Sequence, residues 1–293
     1  MLHANKFKRA LNINRISNVW PIYSIDSFEV STKDNNNLCN SIRENIISSV
    51  INKNIPDYYY LFPKWEILRK GVNNYIGLIA QNYSTLECIS TGGRAYKYDF
   101  NLIVDNNQKY NLEFKFNASC VADLPQFVSP VKPSQYMSKS YEEYYYDNYF
   151  PEDTSIEKPE RETYLKEIGS CNPPCMVEYK ELYKNNIIFN KKCNYCMKKS
   201  ISEFIKHTDL HLDICKVSSY LKNTQKDKTY MLYKNGVFYI ETLNNDDYEL
   251  ISYTKSNVGF IAKCKSGKSI EIRLRWKNCN GIAFPAFQIS FIN

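Results

Sequence analysis

The segment from Asp99 to Asn117 limits most strongly what this chain can fold into. Tyr110-Asn111-Leu112-Glu113-Phe114-Lys115-Phe116-Asn117 alternates strictly, the period of a strand with one buried face. Leu112, Phe114 and Phe116 share that buried face. Asn111, Glu113, Lys115 and Asn117 share the other. Tyr98 to Val104 reads as an earlier strand, and Asp105-Asn106-Asn107-Gln108 between the two is rich in turn formers. A hairpin built this way puts Asp99, at the start of the first strand, beside Glu113. Upstream, Ser84 to Ile89 reads as a further strand. Ile42, Ile46, Ile47 and Val50 mark a helix over 36–52, and Trp65, Leu68, Val72, Ile76 and Ile79 mark another over 64–81.

Two carboxylates and one ammonium in a small space form a chemical unit. Asp99 and Glu113 supply the oxygen donors that a hard divalent cation such as Mg²⁺ takes, and the backbone carbonyl of Phe114 offers another. A cation held there would lower the pKa of a bound water and neutralise a phosphoryl oxygen. Lys115 would orient that water or stabilise a pentavalent transition state. The same residues also describe a solvated strand face with a cross-strand Asp–Lys pair, and both readings stand at this point.

Asp99 followed by Glu113-Phe114-Lys115, on two strands after a helix, resembles the PD-(D/E)XK nuclease superfamily, over roughly residues 36–150. The Pro that commonly precedes the Asp is Tyr98 here. The resemblance implies an α/β (α+β) fold with a restriction-endonuclease-like core: a helix, a three-stranded antiparallel meander, then a helix and another strand in a mixed sheet flanked by helices. It implies Mg²⁺ or Mn²⁺ as cofactor and hydrolysis of DNA phosphodiester bonds by a restriction-type or repair-type endonuclease, leaving a 5′-phosphate. Asp99, Glu113 and Lys115 take the catalytic positions. The acidic residue often added from the preceding helix matches Glu44 first and Glu66 second. Many relatives cut both strands as homodimers. A non-catalytic nucleic-acid-binding or interaction protein on the same fold, or an RNA-directed nuclease, is the alternative.

Three other features invite a role. Cys171 and Cys175, then Cys193 and Cys196, are two close pairs able to form a tetrahedral zinc site. Cys193 and Cys196 with His207 and His211, placed i, i+4 on a helix expected over 200–215, form a competing Cys₂His₂ set. Arg273, Arg275 and Lys277 share one face of a strand over 270–276 and suit phosphate contacts on a DNA-contacting edge, with Trp276 stacking on a base or anchoring the sheet. Tyr141 to Phe150 is a tyrosine-rich run that stacks on bases or packs as a helix. Gln126 is expected at the start of a short helix beside the site, in contact with it or with the DNA backbone.

Composition enters last. The 38 Lys plus Arg against 31 Asp plus Glu give a net charge of +7, which permits a nucleic-acid partner without requiring one. Lys, Asn, Tyr and Ile are all codon-AT-rich, which accounts for part of the excess. No stretch of about 18 apolar residues predicts a membrane span, and no motif marks an organic cofactor. The first residues lack an apolar signal core, and ten cysteines in 293 residues are too few for a disulfide scaffold. The expectation is an intracellular protein, in cytoplasm or nucleus, with reduced thiols. Three regions are expected: a nuclease-like core with N-terminal helices over 1–150, a loop and helical insertion with the Cys pairs over 151–216, and a β-rich, DNA-contacting part over 217–293.

Overall fold

Apolar residues at helical spacing over 36–51 and at alternate positions over 100–116 fold as helix and strand, as their periods require. The computed structural model describes residues 2–30, 36–91, 98–123, 126–128, 132–170, 172–207, 209–225, 227–278 and 281–292. In chain order the elements begin with helices α1 (Leu2–Ser17), α2 (Asn36–Ile51) and α3 (Pro63–Ile79). Strands β1 (Leu86–Ser90), β2 (Phe100–Val104), β3 (Gln108–Phe116) and β4 (Gln126–Val128) follow. Then come helices α4 (Tyr141–Tyr149), α5 (Arg161–Glu167), α6 (Val177–Asn185), α7 (Ile187–Lys206) and α8 (Ile214–Gln225). Strands β5 (Lys228–Lys234), β6 (Val237–Thr242), β7 (Leu250–Lys255), β8 (Gly259–Cys264), β9 (Ser269–Asn278) and β10 (Ala283–Ile292) complete the chain. The fold is mixed α/β, compatible with α+β. Among the described residues no helix is long and apolar enough to cross a membrane.

The elements gather into two compact units, and neither is continuous in sequence. The first takes Met1–Asp123 and Gln225–Leu243, the second Leu124–Thr224 and Asn244–Asn293. The expected division at residues 150 and 216 cuts across both. A strand pairing between distant segments, described next, is the reason.

The first unit holds a five-stranded mixed sheet in the order β1-β2-β3-β5-β6. β1, β2 and β3 form an antiparallel meander. β5 then pairs parallel to β3, with Glu113 opposite Tyr230 and Lys115 opposite Leu232. β5 and β6 form a hairpin whose turn residues Asn235 and Gly236 both have positive φ, as the Asn-Gly signal requires. Asp105 and Asn106 likewise have positive φ in the β2–β3 turn. The Asp105 carboxylate accepts from both backbone nitrogens of Ser84 and Thr85 and so ties the entry of β1 to that turn. Ile42, Ile46 and Ile47 of α2 and Trp65, Leu68 and Val72 of α3 bury against Phe100, Leu102, Leu112, Phe114 and Met231. Trp20 is buried, and a 3₁₀ segment, Ile22–Phe28, follows it.

The second unit holds an antiparallel sheet in the order β4-β10-β9-β8-β7. The tyrosine run is α4, and its Tyr141 and Tyr145 are fully buried, with their rings 6.1 Å and 4.9 Å from Trp276. The Trp276 Nε1–H donates to the Tyr141 hydroxyl at 3.0 Å, and that hydroxyl also meets Ser200 Oγ at 3.0 Å. Of the two readings of Tyr141, Tyr145 and Trp276, the structure takes core packing over base stacking. Gln126 is corrected too: it opens strand β4, opposite Ile289 of β10, and no helix starts there.

Candidate active site

The β2–β3 ladder aligns Phe100 with Leu112, so Asp99 falls across from Glu113. Asp99 is tied down at both ends. Its backbone nitrogen donates to the Leu112 carbonyl at 2.9 Å, and its Oδ2 accepts from the Phe114 nitrogen at 2.8 Å. Two residues along β3 on the same face, Lys115 Nζ lies 2.5 Å from Glu113 Oε1. The alternation seen in the sequence thus gives the expected group: one carboxylate from each of two adjacent strands, and one ammonium.

Glu44 reaches the group from α2, and its neighbour Arg43 sets the rotation of that helix. Arg43 is fully buried. Its guanidinium donates to the Ser27 carbonyl at 2.8 Å and the Val30 carbonyl at 2.6 Å, and it lies 3.4 Å over the Phe116 ring. Glu44, the next residue, lies within electrostatic reach of Asp99, Lys115 and Glu113. Burial, and then the facing Asp99 carboxylate, push Glu44 up to about 8. Burial and Glu113 push Asp99 up to about 6. Burial opposes the Lys115 ammonium, but Glu113 and Asp99 outweigh it and hold it above the usual lysine value. Glu66 takes no part here. It pairs with Arg69 and Lys70 on its own helix.

Sequence reasoning missed Lys228. It is the first residue of β5, opposite Asn111 in the parallel ladder, and its Nζ lies 3.4 Å from Glu113 Oε2. Its side chain is 6% exposed, and burial outweighs Glu113 in pulling its pKa below the usual lysine value. Local sequence carries no signal for it, because only the pairing of distant strands brings it in. Both Glu113 oxygens are therefore met by ammonium groups.

The donors are of the type a hard divalent cation takes, carboxylate oxygens, without being gathered in the geometry that would hold one. Three carboxylates converge, and two of them resist ionisation partly because the others are negative, a repulsion that a cation would relieve. In the arrangement observed the lysines supply that positive charge. Among the described residues no group of three His, Cys, Asp or Glu is placed to hold a metal ion.

The other expected sites fare differently. Cys171 lies outside the described residues. Cys193 and Cys196 lie on α7, Cys193 buried and Cys196 partly so, and Cys175 precedes α6. The helix expected over 200–215 ends at Lys206, so His207 and His211 are not on one helical face: His207 caps α7, and His211 lies in the connection to α8. β9 is the middle strand of its sheet, between β8 and β10, so Arg273, Arg275 and Lys277 do not form an edge. They do share the face opposite the buried Ile272, Leu274 and Trp276. Arg273 contacts both oxygens of Glu271 at 3.0 Å, Arg275 donates to Gln288 Oε1 at 2.5 Å, and Lys277 sits 5.5 Å from the Phe284 ring centre. The side chain of Gln126 lies outside what the structure describes.

Comparison of the chain with protein-family models, characterised proteins and solved structures finds no match.

Proposed function

We propose that the first unit is a restriction-endonuclease-like core that hydrolyses DNA phosphodiester bonds with Mg²⁺ or Mn²⁺, as a restriction-type or repair-type endonuclease. The observation that carries this reading is the convergence of Glu44, Asp99, Glu113 and Lys115 from one helix and two adjacent strands. The order helix, antiparallel meander, then a strand parallel to the third, supports the same core. Asp99 and Glu113, with the Phe114 carbonyl, would hold the cation, and Glu44 would join them once its proton leaves. A cation held there would supply an acidified water and charge neutralisation at the phosphoryl oxygens. Lys115 stays protonated and stabilises the negative charge that builds on the pentavalent phosphorus. Water adds to phosphorus, the bond to the 3′ oxygen breaks, and 5′-phosphate and 3′-hydroxyl ends result. Arg273, Arg275 and Lys277 are proposed phosphate contacts, which position a duplex without reading its sequence.

The test is plasmid DNA, and separately RNA, incubated with Mg²⁺ or Mn²⁺. Wild-type protein nicks DNA, and Lys115→Ala slows it by about 10²–10³-fold, the scale for loss of one transition-state donor. No cleavage of any substrate by wild type refutes the enzyme reading. Cleavage of RNA alone moves the substrate. One observation favours a second reading, a nucleic-acid-binding protein without chemistry: both oxygens of Glu113 are already neutralised by lysines. Binding without nicking, unaltered in Lys115→Ala, supports that alternative.

A further inference from the structure

We propose that Lys228 is a built-in counter-ion that a divalent cation must displace from Glu113 before the site is loaded. This rests on the reading of the site as cation-dependent and goes beyond it, by assigning a role in loading to a residue outside the hairpin. Lys228 has a 6% exposed side chain, and its ion pair is with Glu113 Oε2. A buried ammonium is costly unless a carboxylate meets it, so the Lys228–Glu113 contact has a structural reason to persist. Lys115 holds the other oxygen of the same carboxylate. A divalent cation on Glu113 would meet two ammonium groups at close range, in a half-buried place where like charges repel more strongly than in water. Lys115 is 27% exposed, against 6% for Lys228. Lys228 lies on the strand next to β3 and is nearly enclosed, so it is the lysine that stays and competes. The parallel pairing of β3 with β5 fixes that opposition into the sheet.

The sign of the effect separates this role from plain structural support. Damage to the site weakens cation binding, whereas removal of a competitor strengthens it. Mn²⁺ binding to the full chain without nucleic acid is measured by titration calorimetry in wild type, Lys228→Met, Lys228→Gln and Lys228→Arg, with circular dichroism to confirm folding. Met and Gln, both uncharged, tighten Mn²⁺ binding by about tenfold or more, and Arg leaves it near wild type. Gln keeps a polar group at the buried position, so the measurement stands even where Met disturbs folding. Unchanged or weaker binding in a folded Gln variant overturns the proposal. Plasmid nicking with Mn²⁺ is followed in parallel. Where wild type binds Mn²⁺ and nicks DNA but Gln binds no tighter, only the role of Lys228 fails. Where wild type neither binds Mn²⁺ nor nicks, the cation-dependent reading fails and takes this proposal with it.

Discussion

Replacing Glu44 with Gln should change how stability depends on pH, and in a direction opposite to the common carboxylate case. A paired surface carboxylate has a lowered pKa and stabilises the fold as pH rises. Glu44 is raised, from the usual 4.5 to about 8. Below about 4.5 it is protonated in both folded and unfolded chains and contributes no pH dependence. Between about 4.5 and 8 only the folded chain keeps the proton, so each pH unit removes about 1.4 kcal/mol of stability. Above about 8 both forms are ionised and the loss levels off. From pH 5 to pH 7 this amounts to about 2.5 kcal/mol at full effect, and less where solvent reaches the carboxyl. Gln has nearly the same shape and no proton to lose, so Glu44→Gln gains on wild type by that amount across the window. Urea unfolding at pH 5, 6, 7 and 8, with EDTA to hold cations away, measures it. Asp99 titrates within the same range in both proteins, so the difference between them isolates Glu44. Parallel curves for the two proteins would refute the placement of Glu44 in a buried acidic cluster.

Other outcomes follow from the second unit. Tyr141→Phe leaves the buried Trp276 Nε1–H without its acceptor and should cost about 1–3 kcal/mol in urea unfolding. A Cβ at Gly259 would lie 2.0 Å from the Ile272 carbonyl oxygen, so Gly259→Ala forces β8 away from β9. It should cost about 3 kcal/mol by the same measurement. If Arg273 and Lys277 contact phosphates, their double replacement with Ala should reduce the log–log salt slope of DNA binding by about 2. An unchanged slope removes both from the interface.

The hairpin that carries Asp99, Glu113 and Lys115 was legible because its signals are local. Alternation gives the face of each side chain, and Asp105 and Asn106 accept the positive φ that the turn needs. The helix over 36–51 was legible for the same reason. Parallel pairing of β3 with β5 has no local signature, so Lys228 and the interleaving of the two units stayed hidden. The helix expected over 200–215 failed where tertiary contacts outweighed spacing. Leu212 continues the apolar period, but its backbone pairs with Met137 and its nitrogen donates to the Tyr253 hydroxyl. Gln126 failed alike, because β10 offers the backbone a partner that an isolated turn of helix cannot match. The basic strand was rightly split into two faces. Its position in the middle of the sheet comes from pairing with β8 on one side and β10 on the other.

The parallel join between β3 and β5 also bears on the order of events in folding. Glu113 and Lys228 are 115 residues apart, and most of the second unit's chain lies between them. Non-local pairing of this kind closes a long loop before any contact repays the lost freedom, so it comes late. On a ribosome, the meander and α2 emerge well before β5, and the nascent site has Asp99, Glu113 and Lys115 but no Lys228. Glu113 Oε2 is then without its ion-pair partner until more than a hundred further residues have been made. The strand that pairs with β3 across this long interval is also the one that brings Lys228 to Glu113.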